Sequence, residues 1–224
     1  MGSHADAKEN LKTDTGSIYL HAGSGNIDIG NSGPKVATIS SAKDVALQTL
    51  AGTITVHGKT SAGNDVRVDV KSETYTAGED GRNLLFDQNG QLLSGQAMTI
   101  TTNNGDIHVT DRLQAGTDLL AAAKEQGSIY LDTDVAVNRQ LTITADYGNI
   151  EIGRDITAGS DVNMLVKDGN IIVGRTITSD AGNVLLTVKK GDVQVGTGVQ
   201  AKENIQATMS NAVIREENGN IEVG

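Results

Sequence analysis

Gly148-Asn149-Ile150-Glu151-Ile152-Gly153 is followed by Ile156-Thr157-Ala158-Gly159-Ser160-Asp161-Val162-Asn163-Met164, and this stretch decides how the whole chain is read. A small corner residue introduces an apolar-x-apolar triplet, a lone apolar group follows, and a second triplet begins behind Asp161. The first triplet recurs as Gly25-Asn26-Ile27-Asp28-Ile29, Gly52-Thr53-Ile54-Thr55-Val56, Gly105-Asp106-Ile107-His108-Val109, Gly127-Ser128-Ile129-Tyr130-Leu131, Gly169-Asn170-Ile171-Ile172-Val173, Gly191-Asp192-Val193-Gln194-Val195 and Gly219-Asn220-Ile221-Glu222-Val223. Arg82-Asn83-Leu84-Leu85-Phe86 is a further copy without the glycine. The partner triplet begins at Ser17, Asp44, Ala97, Gln140, Asp161 and Asn183, usually 8 residues before the glycine, and Asp118 stands 9 before Gly127. Leu113, Val135, Ile156, Ile177 and Val199 are the lone apolar groups between units. Glycines 105, 127, 148, 169 and 191 are separated by 22, 21, 21 and 22 residues, which sets the period.

Apolar residues two apart follow the strand periodicity, and no stretch repeats at helical spacing. A strand this short cannot bury its apolar face alone, whereas stacking equivalent strands from successive units builds a continuous core. The period therefore measures one circuit of a parallel β-helix. The expected fold is all-β, about nine coils of 21–22 residues with three short strands each, a rod on the order of 40 Å long at about 4.8 Å per coil. Ile27, Ile54, Ile107, Ile129, Ile150, Ile171, Val193 and Ile221 should form one inward ladder. Asp28, Thr55, His108, Tyr130, Glu151, Ile172, Gln194 and Glu222 should face out. Glycine at the corner permits a positive φ, and Asn26, Asn83, Asn149, Asn170 and Asn220 beside it can stack as an amide ladder.

Composition fits a thin core: of 224 residues, 27 are glycine, one is proline and one is phenylalanine. The absence of cysteine rules out disulfides and thiolate chemistry. A formal net charge of -10 argues against nucleic acid, whose phosphates require a basic face. No apolar run reaches the length of a membrane span. Met1-Gly2-Ser3-His4 reads as a tag remnant, so residues 1–15 are expected to be that remnant and a lead-in, and 16–224 a single β-helix segment. Because Gly224 directly follows a repeat strand, the chain reads as a piece of a longer rod, whose bare terminal strand at 219–223 should give weak, salt-dependent end-to-end self-association.

Three insertions are expected, near 31–36, 71–81 and 209–218, and loops on a rigid scaffold are where binding usually sits. In the second of them Glu73, Thr74, Tyr75, Glu79 and Asp80 are the candidate binding residues. Catalytic, cofactor and metal sites are expected to be absent. His21, His57 and His108 match no zinc spacing, and the Gly-Asn and Gly-Asp corners do not reproduce the calcium-binding nonapeptide. Asp28, Glu151 and Glu222 share the outward row but fall on distant coils, too far apart for the paired carboxylates of a glycan-cleaving enzyme, and the other acids scatter through corners. Lys71, Lys124, Lys167 and Lys189 share one edge of the rod with Asp146, where weak ion pairing between coils is expected.

On the residues 148–164 quoted above, and more diffusely over 16–224, the chain resembles the repeats of filamentous-haemagglutinin-type exoproteins, large adhesins exported by two-partner secretion in Gram-negative bacteria. The resemblance implies a right-handed β-helical shaft that is secreted or held at the cell surface. Its Asn-Pro-Asn secretion signatures are missing, since Pro34, the only proline, follows Gly33. The function implied is a non-enzymatic segment for cell attachment or for presenting a distal module. Its partners would be a host- or bacterial-surface receptor, protein or glycan, and the remainder of a longer chain. A polysaccharide-processing lyase or hydrolase on a β-helix is the alternative.

Overall fold

A computed structural model of the chain describes residues 5–7, 10–23, 25–30, 37–71, 84–87, 91–196, 198–201, 205–208 and 211–214. These residues form an all-β parallel β-solenoid, with no helix among them and therefore none long and apolar enough to cross a membrane. The strands assemble into three sheets of 10, 9 and 9 strands, every pair parallel and joined to its equivalent one repeat away. The first sheet carries the triplets behind the glycines, from Ala5–Ala7 through Ile150–Ile152 to Asn211–Ile214. The second holds the lone apolar groups, as in Leu113–Ala115, Val135–Val137 and Ile156–Ala158. The third contains the partner segments, which run on past the triplet: Leu119–Gln126 is 8 residues long and Leu141–Tyr147 is 7.

Alternation sorts the side chains as the triplets require. Ile27, Ile54, Ile107, Ile129, Ile150, Ile171 and Val193 are all buried, and in the hydrogen-bonded register each stacks on its equivalent in the next strand. The single phenylalanine, Phe86, joins the inward row between Val56 and Val109. Full burial of an aliphatic side chain contributes roughly 1.5–3 kcal/mol, so one narrow coil supplies little and the stack must supply the rest. At the first coils Leu11, Ile18 and Leu20 are only partly buried and pack against this core. Residue 221 lies outside the described residues, as do 31–36, 72–83 and 215–224. Within the expected insertion at 209–218, however, Asn211–Ile214 is a strand paired in register with Asp192–Val195.

Each corner needs an acceptor for the backbone N–H that opens the next strand. At the first sheet, Asp106 Oδ1 accepts from Ser128 N (2.7 Å), Ser128 Oγ from Asn149 N (3.0 Å), Asn149 Oδ1 from Asn170 N (2.9 Å) and Asn170 Oδ1 from Asp192 N (2.9 Å). Asn26 does the same for Thr53 N at 3.0 Å. Of the anticipated asparagine ladder, Asn149 and Asn170 stack on neighbouring coils and Asn26 caps Thr53, while aspartate and serine serve as acceptors at other corners; Asn83 and Asn220 lie outside the described residues. Two further ladders serve the other corners. Asp65 Oδ1 accepts from Ala97 N (3.0 Å) and Asp161 Oδ1 from Asn183 N (2.8 Å) ahead of the third sheet; Asp134 Oδ1 accepts from Asp155 N (3.3 Å) and Asp155 Oδ1 from Thr176 N (3.0 Å) ahead of the second. Replacing Asn149 by alanine leaves Asn170 N without this acceptor and is expected to cost about 1 kcal/mol. Faster hydrogen exchange at the Asn170 amide checks it, and unchanged exchange would show that the ladder does not hold that corner.

One inward row is interrupted by a polar group. Thr60 is fully buried between Ile39 and Leu92, and its Oγ1 has no hydrogen-bond partner among the described residues. Valine has nearly the same shape, and an unsatisfied buried hydroxyl is unfavourable. Thr60→Val is expected to stabilise the fold by about 1 kcal/mol, seen as a higher urea midpoint at unchanged slope. A lower midpoint would mean that the hydroxyl has a partner after all.

Candidate binding cleft

The outer face of the third sheet presents one column in register, in which Tyr19, Ala46, Arg67 and Thr99 follow one another on successive coils. Strand alternation turns all of them outward, while Ile18, Val45, Val66 and Met98 beside them turn in. Ala46 is the small residue between two large ones, so a gap opens above its methyl group. Tyr19 and Arg67 form its walls, two strand spacings or about 10 Å apart at the backbone. Tyr19 is 69% exposed, which leaves the ring available. Asp44 and Asp65, the corner residues opening the two strands, line the near side with Val45, Val66, Ala97 and Thr99, and the cleft encloses about 320 Å³.

Its charged groups are held in place. Asp44 Oδ2 accepts from Ser17 Oγ at 3.1 Å and Asp65 Oδ1 from Ala97 N at 3.0 Å. Arg67 Nη2 donates to Asp69 Oδ2 at 3.4 Å. Asp69 is only 3% exposed, the one buried carboxylate among the described residues. Its burial is offset by Thr101 Oγ1, which donates to Oδ1 at 2.8 Å, by Gln48 Nε2, which donates to Oδ2 at 3.2 Å, and by Lys71 Nζ at 3.8 Å. The buried carboxylate thus sits within reach of the Arg67 guanidinium, whose side chain is otherwise exposed. The cleft therefore offers two acceptors, one fork of donors and one aromatic plane.

Among the described residues, none singled out from the sequence as a candidate lines this cleft. Glu73, Thr74, Tyr75, Glu79 and Asp80 lie outside the described residues, as does Glu222. Asp28 and Glu151 do share the outward row of the first sheet, with Thr55, Leu85, His108 and Tyr130 between them. Five spacings, or about 24 Å, separate the two carboxylates, beyond the reach of a catalytic pair. The remaining acids lie largely at corners, as expected, and four of them share one position there: Asp44, Asp65, Asp118 and Asp161 each open a strand of the third sheet. A fixed period converts equal spacing in sequence into a column in space.

His108 Nε2 lies 2.7 Å from Asp132 Oδ2, and its ring meets Tyr130 edge-on at 5.8 Å. Among the described residues no group of three or more His, Asp or Glu could hold a metal ion. On the lysine edge, Lys167 Nζ donates to Asp146 Oδ2 at 2.6 Å across one coil, the pairing expected there, and the adjacent column repeats it with Lys190 and Asp168 at 3.4 Å. Both pairs are exposed and add little to stability. Neither Arg67 nor Asp69 stood out in the sequence, because Val66-Arg67-Val68-Asp69-Val70 reads as plain alternation with solvated charges.

No family model matches the chain, and no curated protein and no solved structure is significantly similar to it.

Proposed function

We propose that the chain is a non-enzymatic shaft segment of a secreted bacterial adhesin or exoprotein, at the surface of a Gram-negative cell, that holds a binding or toxic module away from that surface and contacts a receptor itself. In this reading the rod is right-handed and consists of about nine coils of 21–22 residues, three short strands to a coil. The observation that supports a shaft is the use made of the polar residues. Corner Asp and Asn side chains from coil to coil accept backbone N–H groups of the neighbouring coil, as Asn149, Asp65 and Asp155 do. A rod organised this way resists bending and gains length one coil at a time. Outward Asp28 and Glu151 stand too far apart for the two-carboxylate chemistry of a glycan hydrolase.

The experiment combines two readouts on one preparation. Incubation with a panel of plant, bacterial and host polysaccharides is expected to release no new reducing ends and no unsaturated uronate, while the labelled protein binds to host or bacterial cells in a saturable manner. Release of oligosaccharides would replace the shaft with the enzyme reading. Failure to bind any cell while the rod remains folded would remove the receptor-contacting part.

A further inference from the structure

We infer that the Tyr19–Ala46–Arg67 cleft is a binding site for a neutral pyranose ring of a surface glycan. The inference deepens the receptor-contacting part of the proposed function and rests on it. Charge narrows the ligand class first. Asp44 and Asp65 on the rim oppose an anion, and Arg67 on the far wall opposes a cation. A neutral molecule with many hydroxyls satisfies both, donating to the carboxylates and accepting from the guanidinium.

Shape narrows it further. A saturated ring in van der Waals contact with a flat group on each side needs those groups about 7–8 Å apart, twice the usual carbon–carbon contact distance. The wall residues are separated by two strand spacings, about 10 Å at the backbone, with only the Ala46 methyl between them. Tyr19, 69% exposed, supplies an apolar plane with a polar tip. Arg67 lines the opposite side and supplies hydrogen-bond donors there, with Nη2 3.4 Å from Oδ2 of buried Asp69. The volume of about 320 Å³ is at the small end of ligand sites and suits one or two sugar rings better than a folded peptide. Because the wall positions sit on rigid strands, the site is formed before the ligand arrives.

The test uses methyl glucoside, methyl galactoside, methyl mannoside, cellobiose and lactose as probes, read by saturation-transfer NMR and followed by titration of any that bind. Three variants accompany the wild-type chain: Tyr19→Ala removes the platform, Ala46→Leu fills the gap, and Thr142→Leu places the same leucine side chain in the same outward column beyond the cleft. All three positions point away from the core, and melting curves verify that the fold is intact. The expected result is millimolar or tighter binding of at least one probe, weakened at least tenfold by Tyr19→Ala and by Ala46→Leu and unchanged by Thr142→Leu. Binding of none of the probes, or equal binding by wild type and Ala46→Leu, would overturn the inference. Cell attachment is measured on the same variants: attachment that persists in Ala46→Leu without saccharide binding leaves the receptor-contacting shaft standing while the cleft falls.

Discussion

Ile150→Asp is expected to destabilise the chain by about 4 kcal/mol or more, the largest effect of any single change considered for the inward rows. Ile150 is fully buried and stacks directly between Ile129 and Ile171. Removing it forfeits an aliphatic contact on each neighbouring coil and places a carboxyl group where no donor is available. In a one-dimensional stack the damage is not diluted, because every coil rests on the one beside it. Glu151→Lys, one residue on, should change stability by no more than about 0.5 kcal/mol, since Glu151 faces outward and loses only its 3.0 Å contact with Asn149 Nδ2. Thermal unfolding of both variants checks the pair, and similar losses for the two would contradict the register of the first sheet.

The second large effect is expected at a corner. Gly169 adopts φ +142°, a conformation that favours glycine, and a Cβ built there would overlap the carbonyl oxygen of Gly148 on the preceding coil. That oxygen belongs to the backbone, so no side chain can swing aside to make room. Gly148 stands in the same relation to Gly127, and the glycines therefore form a column in which each fills the space that a side chain of the next would need. Gly169→Val should cost about 3 kcal/mol or more. Gly153→Ala is the control, because its Cβ would meet Asp132 Cα at an ordinary 3.4 Å, and its effect should stay within about 0.5 kcal/mol. If both substitutions were equally tolerated, the close approach of successive corners would be wrong.

Much of this architecture is legible in the sequence because a solenoid writes the same sentence repeatedly. The alternation in Ile150-Glu151-Ile152 gives the face, and the 21- and 22-residue intervals give the partner on the next coil. The glycine corners were legible in part. A positive φ is indeed present at Gly105, Gly127, Gly148, Gly169 and Gly191, but the second reason for glycine, the carbonyl packed against the Cβ position, depends on how closely successive corners stack. Gly219-Asn220-Ile221-Glu222-Val223, the copy expected at this end of the chain, lies outside the described residues. The strand that pairs with Asp192–Val195 is Asn211–Ile214, and no glycine directly precedes it in the chain.

The cleft was harder to anticipate. Its walls come from Tyr19 and Arg67, 48 positions apart in the chain, and its gap from an alanine that looks like filler. Only the register of the third sheet brings them into one column. The 21-residue spacing of Asp44 and Asp65 was a usable signal, as was that of Asp134 and Asp155. Each equals one period and so predicts carboxylates on adjacent coils. Burial of Asp69 had no such signal, because Gln48, Thr101, Arg67 and Lys71 reach it from three different coils.

A parallel stack requires a constant rise from one coil to the next, and spin-label distances measure that rise directly. The cysteine-free chain accepts labels only where cysteine is introduced. Ser40, Ser61 and Thr178 all face outward in one column of the second sheet, with Leu93, Gln114, Ala136 and Thr157 in register between Ser61 and Thr178. The pair Ser61→Cys with Thr178→Cys spans five spacings and should give a narrow distribution near about 24 Å, and Ser40→Cys with Thr178→Cys should be longer by one spacing, near about 29 Å. Broad distributions, or two pairs that do not differ by about 5 Å, would contradict the stack.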